Sequence, residues 1–137
     1  MPDMEKLFSN QYANLFLHST THKTIELQWL DFVPSADFRP IVLEMMRLAR
    51  QHRVQAMVAD NRLLRALRQA DLEWCGDVVF KGLSDLGGRR FAAVESLDAM
   101  NRMGVSALVA SAVPGTKLTS QFFAAIEEAR AWATQPL

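Results

Sequence analysis

Asp60, Asn61 and Arg62 follow directly on the short apolar run Val54-Gln55-Ala56-Met57-Val58-Ala59, and their types suit recognition better than reaction. A guanidinium offers planar, bidentate hydrogen bonding to a carboxylate or phosphate. Asp and Asn beside it can join that binding, or can simply satisfy turn amides and cap a following helix. Ser96 and Asp98 stand in the matching place after a second short apolar run, Phe91-Ala92-Ala93-Val94. Such runs, ending abruptly in polar residues, read as buried strands that deliver side chains to the rim of a sheet. The carboxyl ends of parallel strands are where α/β folds meet ligands and partners.

Other chemistry-bearing residues form weaker patterns. Arg62, Arg65 and Arg68 recur every third residue, and with Arg47, Arg50 and Arg53 they make a candidate basic patch for phosphate or acidic surfaces. Glu44, Asp60, Asp71 and Glu73 lie close by in sequence, so a mixed solvated face is the competing reading. His18 and His22 have a spacing that suits a metal on a helix, but they fall on an expected strand and turn with no third ligand near. Cys75 lies among apolar neighbours without a local His or Cys, as a core thiol does. Gly87-Gly88 precedes a strand and not a helix, the wrong context for a phosphate loop. Met100 and Met103 are candidates to line an adaptable pocket or to fill the core. No Gly-x-Ser-x-Gly motif, paired carboxylates or nucleophile–base spacing is visible, so the reading is non-enzymatic, with no metal and no cofactor.

The elements that must position these residues follow from periodicity. Residues 1–12 read as a lead-in with a helical turn around Leu7 and Phe8. Asn14–Thr20 and Thr24–Asp31 form a hairpin around Thr21-His22-Lys23, with Ile25, Leu27 and Trp29 alternating against Glu26, Gln28 and Leu30. Ser35 or Asp37 is the expected cap of a helix whose Phe38, Ile41, Val42, Met45, Leu48 and Ala49 form one apolar stripe. Arg39, Glu44, Arg47, Arg50 and Gln51 take its wet face, and Leu43 and Met46 fall off the stripe. Leu63, Leu64 and Leu67 suggest a helical turn, and Asp71 is placed to cap a helix through Leu86 that Gly87-Gly88 ends. A helix interrupted at Gly104, a break at Val113-Pro114-Gly115, a strand over Lys117–Phe122 and a closing helix with Ile126, Ala129, Arg130 and Trp132-Ala133 complete the chain. The predicted order is β-β-α-β-α-β-α-β-α, an α/β fold in a single domain over residues 1–137.

Bulk properties narrow the class. Half of the 137 residues are hydrophobic, enough for a real core without staples. Fifteen basic side chains balance fifteen acidic ones, so no global field draws the chain to nucleic acid or anionic lipid. One cysteine allows no internal disulfide and suits a reducing compartment. The start lacks a basic segment followed by an apolar run, and no stretch approaches the roughly 18 apolar residues of a membrane span. The expected setting is cytoplasmic.

That element order resembles the SpoIIAA-like group of STAS domains, also grouped with Sec14-type folds. The residues carrying the resemblance are Trp29-Leu30-Asp31-Phe32 at the hairpin's end, Ala59-Asp60-Asn61-Arg62, Leu67 with Trp74, and Glu127-Glu128-Ala129-Arg130-Ala131-Trp132. It spans residues 14–133 and implies a mixed sheet of four or five strands, helices packed against it, and no cofactor. The family's known members are mostly bacterial regulators that act by protein–protein docking. Anti-sigma antagonists of this type carry an Asp-Ser-Ser-Gly sequence where this chain has Asp60-Asn61-Arg62-Leu63. A phosphoserine switch adds charge at a helix terminus, and neither Asn61 nor Arg62 can receive that phosphate. The leading expectation is a regulatory domain that docks a protein partner, alone or as a homodimer, through Asp60, Asn61, Arg62, Ser96 and Asp98. The alternative is a Sec14-like small-molecule or lipid carrier, for which a large apolar cavity under Met100 and Met103 would be the mark.

Overall fold

The computed structural model describes residues 3–137. Among them six strands form one sheet in chain order: β1 (Asp3–Ser9), β2 (Ala13–Ser19), β3 (Lys23–Trp29), β4 (Ala56–Asp60), β5 (Arg90–Val94) and β6 (Thr119–Phe123). β1, β2 and β3 are an antiparallel meander, and β3 through β6 are mutually parallel. The parallel strands are joined by α1 (Ser35–His52), by α2 (Gln69–Cys75) running through a π-helical segment (Gly76–Lys81) into α3 (Gly82–Asp85), and by α4 (Ala99–Ala112). A short 3₁₀ turn at Val113–Gly115 precedes β6, and α5 (Ile126–Thr134) follows it.

Right-handed crossovers that advance one strand at a time in one direction place all their helices on the same face. The core agrees: Leu27, Trp29, Met57, Ala59, Phe91 and Ala93 of the sheet pack with residues of α1, the α2–α3 helix and α4. The other face is covered by α5 alone, whose Ile126, Ala129 and Ala133 meet Ala56, Val58, Ala92 and Val94. β4 and β5 are therefore buried from both sides, which is why their sequences read as apolar runs with no alternation.

The sheet has one strand more than expected. Residues 3–9 form β1, where a helical turn at Leu7 and Phe8 was anticipated. The register against β2 shifts between Lys6 and Phe8, leaving Leu7 as an extra residue. A bulge of this kind breaks the period of two and sets apolar residues side by side, as a helix turn would. The turn expected at Leu63–Leu67 is also not helical; Leu64 and Leu67 instead pack against the core as parts of a loop. Neither Ser35 nor Asp37 caps α1. Pro34 holds the N-cap position, and its carbonyl accepts from the Asp37 and Phe38 amides. Pro40 thus lies inside the helix.

The apolar stripe of α1 is buried as its spacing predicts, and Met46 is buried with it while Leu43 stays exposed. α2 starts at Gln69 with Arg68 at the N-cap, so Asp71 sits within the first turn. There it accepts from Arg39 Nε at 2.8 Å and Arg68 Nε at 3.3 Å, tying α2 to α1. α4 runs unbroken through Gly104, where a Cβ would come within 3.0 Å of the Leu72 side chain. The glycine lets the two helices approach. Gly87, at φ +105°, reverses the chain after α3 as a left-handed helix end requires.

Candidate functional site

The carboxyl ends of the parallel strands bring the two sequence-predicted clusters together. The Asn61 amide donates to the Val94 carbonyl at 3.1 Å, and the Leu97 amide to the Arg62 carbonyl at 3.1 Å. The Ser96 hydroxyl donates to the Leu64 carbonyl at 2.6 Å, and Asn101 Nδ2 to the Arg65 carbonyl at 2.8 Å. The loops after β4 and β5 are thereby laced into one rim.

Within it the polar residues are occupied. Asp60 is only 2% exposed, and Arg62 folds back onto it with Nε–Oδ1 at 2.9 Å and Nη2–Oδ2 at 2.8 Å. The bidentate grip expected for an outside anion holds this carboxylate instead. Asn61 is buried. The buried Ser96 hydroxyl also accepts from the Asp98 amide at 2.9 Å. Asp98 Oδ1 caps α4, accepting from the Met100 and Asn101 amides at 2.8 and 3.3 Å. Asp60, Asn61, Ser96 and Asp98 thus shape the rim, while the Arg62 side chain stays 40% exposed.

What the rim presents is apolar. Phe32 and Leu63 are each 52% exposed and Leu97 is 79% exposed. Leu63 and Leu97 border a shallow depression of about 490 Å³ that also takes in Leu30, Asp31, Arg62 and Arg65. Arg65 is exposed and takes part in no ion pair among the described residues. The sequence set Leu63 in a helical turn and Arg65 in a row of arginines, but in a loop no pattern marks the wet side, so the exposure of Leu63 and Leu97 was not legible.

A second cluster lies under α5. Glu26, fully buried at the centre of β3, accepts from Arg130 Nε and Nη2 at 2.8 Å each and from His18 Nε2 at 2.8 Å. Burial pushes its carboxyl up, but the hydrogen bonds from Arg130 and His18 outweigh this and hold it below its ordinary value. His22, the other member of the suspected pair, donates from Nε2 to the Ala133 carbonyl at 2.8 Å and pins the hairpin to the end of α5. Both histidines are therefore engaged in the contact between hairpin and helix. In sequence Glu26 looked like the wet side of an alternating strand, because the helix that covers it comes a hundred residues later.

The remaining candidates resolve simply. The Cys75 thiol is buried and its pKa is pushed up to about 12, chiefly by loss of solvent. Met100 and Met103 are 65% and 68% exposed, so they neither fill the core nor line an internal pocket. An apolar cavity of about 70 Å³ lies between the sheet and the helices, against Trp29, Phe38, Met57, Cys75 and Phe80. Among the described residues no helix is long and apolar enough to cross a membrane.

No protein-family model matches the chain, and no curated protein does. Its structure is similar to that of an uncharacterised protein of the DUF3478 family with a SpoIIAA-like fold from Shewanella loihica PV-4. The match has a TM-score of 0.58 at 11% identity and covers 93% of this chain and 98% of that one. At that identity the likeness is one of fold. The six-stranded mixed sheet, its three crossover helices on one face and its closing helix on the other are a SpoIIAA-like fold.

Proposed function

We propose that this chain is a non-enzymatic bacterial regulatory domain of the cytoplasm that docks a protein partner through the rim formed by the loops after β4 and β5. The observation that carries the reading is the cluster of exposed Leu63 and Leu97 beside the free guanidinium of Arg65. Apolar side chains standing in water next to a cation suit a partner surface that is apolar at its centre and acidic at its edge. The polar residues that rigidify the rim hold these side chains in place without an ordering cost on binding.

The cavity volumes favour docking over carriage of a lipid. Ligand pockets begin at roughly 300 Å³; the apolar space between sheet and helices is about 70 Å³, and the larger hollows are open and mixed polar and apolar in lining. A phosphoserine switch finds no acceptor at Asn61 or Arg62, and the nearby Ser96 hydroxyl is buried and doubly hydrogen-bonded. Regulation then rests on occupancy of the rim and not on its charge state.

A photo-reactive amino acid placed at Leu97 in living cells should yield one discrete cross-linked protein, whereas the same group at Leu43, an exposed apolar position on α1, should not. Matching adducts from both positions would refute the rim as the docking site.

A further inference from the structure

Helix α4 runs beside the α2–α3 helix in the same direction. Leu72 stands against Gly104, Gly76 against Leu108 and Ala112, and the Ser84 hydroxyl accepts from the Lys117 amide at 3.0 Å. Above this contact lies an open groove of about 760 Å³, reaching from Gln69 and Gly104 at one end to Ser84 and Thr116 at the other. Its two walls differ in kind. On the α4 side stand Ala107, Leu108, Ser111 and Ala112, and from Met103 to Thr116 the chain carries no charge. Met100 and Met103, mostly exposed, continue the stripe of Ala107 and Ser111 toward the start of the helix. On the opposite side Glu73, Asp77, Lys81 and Asp85 line the groove at every fourth residue. Three carboxylates and one ammonium leave that wall acidic.

These charges are not neutralised within the chain. Glu26, Glu44, Asp60 and Asp71 each hold an arginine. Among the described residues, Glu73, Asp77, Lys81 and Asp85 take part in no ion pair. Asp77 and Lys81 are four residues apart, the spacing at which an α-helix brings opposite charges together. They lie instead in the π-helical segment, whose wider turn does not set such residues directly above one another. Helical turns of this kind recur at functional sites.

We infer that the groove takes a basic amphipathic helix of a protein partner, with its lysines or arginines along the acidic wall and its apolar side on α4. Charge complementarity carries the choice. Carboxylates that recur every fourth residue are matched by cations at the same spacing on a helix lying alongside, about one turn of 5.4 Å apart. The small side chains of Ala107, Ser111 and Ala112 let that helix come close, and the exposed methionines adapt to its apolar residues. A helix laid into a groove with anchors on one face is an established mode of peptide recognition. An anionic membrane or a nucleic acid would meet this wall with like charge. The groove shares no lining residue with the rim depression, so either surface can fail without the other.

The probe is a synthetic helical peptide of about four turns, built of alanine and leucine with lysine at every fourth position. A second peptide carries glutamate in place of each lysine. Titration into the isotope-labelled full chain, followed by nuclear magnetic resonance, reports both affinity and place, and circular dichroism confirms the fold of each variant. The lysine peptide should shift amides along the α2–α3 helix and α4, leave those of Leu63 and Leu97 in place, and bind less well as salt is raised. Asp77→Lys/Asp85→Lys should weaken it roughly tenfold or more and should accept the glutamate peptide, which the wild type refuses. Ala107→Arg, which sets a long cation in the groove, should block the lysine peptide. Glu127→Lys/Glu128→Lys, the same change of charge on α5, should bind as the wild type does. No shift at millimolar peptide, shifts confined to another face, equal binding of the two peptides, or equal weakening by the α5 variant would overturn the inference.

Discussion

Arg62 closes on Asp60, two residues before it, donating from Nη2 and Nε along one edge of its guanidinium at 2.8 and 2.9 Å. The carboxylate is almost fully buried, whereas the arginine side chain is 40% exposed. The pair is a local clamp at the exit of the central strand, and its arginine serves the carboxylate before it can serve a partner.

Arg62→Ala is therefore a stability variant. Removing the guanidinium leaves Asp60 buried with only weaker donors, and loss of charge-assisted hydrogen bonds of this kind costs about 1.5–3 kcal/mol. Urea unfolding should show the loss directly, with Arg65→Ala as a comparison that leaves the midpoint in place. A rim arginine that acted purely by contacting a partner would show no loss of stability in the isolated protein.

The His18–Glu26–Arg130 cluster predicts a response to acid. The folded carboxyl of Glu26 lies below its ordinary value of 4.5, and that of Asp71 below 3.8, held down by Arg39 and Arg68 against the effect of burial. Groups with depressed folded pKa values stabilise the fold above their unfolded values, and that stability is lost as pH falls through the folded ones. Thermal melts should thus be flat in these two contributions near neutrality and fall below about pH 4.5. Glu26→Gln should be destabilised at neutral pH and lose less on acidification than the wild type.

Cys75 should be silent toward thiol reagents in the native protein. With its thiol buried and its pKa raised to about 12, almost no thiolate exists near neutral pH. Reaction with a chromogenic disulfide should appear only in denaturant, with a rate that follows unfolding. Prompt labelling of the folded chain would contradict the burial.

Leu48 anchors the α1 stripe against the sheet face shared by the crossover helices. Leu48→Ala should cost about 2–5 kcal/mol, the usual range for deleting a buried leucine side chain. A denaturation midpoint equal to that of the wild type would mean that the stripe is not core.

Where burial follows a single helix or strand, the sequence was a good guide. The stripe from Phe38 to Ala49 and the run at 91–94 landed in the expected elements, and of the run at 54–59 the strand takes Ala56 onward, leaving Val54 and Gln55 in the turn before it. What escaped depended on partners far along the chain or on local irregularity. Glu26 is dry because α5 returns over it, and no pattern around residue 26 reports that. The bulge at Leu7 disguised β1 as a helix turn, and the π-helical segment at Gly76–Lys81 made one continuous helix out of three pieces. Asp60 and Arg62 were legible as a special pair, but their spacing did not say that they satisfy each other. The apolar rim was missed because exposure of a loop leucine is a property of three-dimensional position alone.

The rim is the centre of this account, and affinity measured across it is the most direct test. Once the protein cross-linked from position 97 has been purified, its binding can be followed by titration calorimetry with the wild type, Leu63→Asp, Leu97→Asp and Leu43→Asp. An aspartate buried in an apolar contact should weaken binding by roughly 30-fold or more at each rim position, and the α1 variant should bind as the wild type does. Undiminished binding by both Leu63→Asp and Leu97→Asp, with their folds intact, would contradict it.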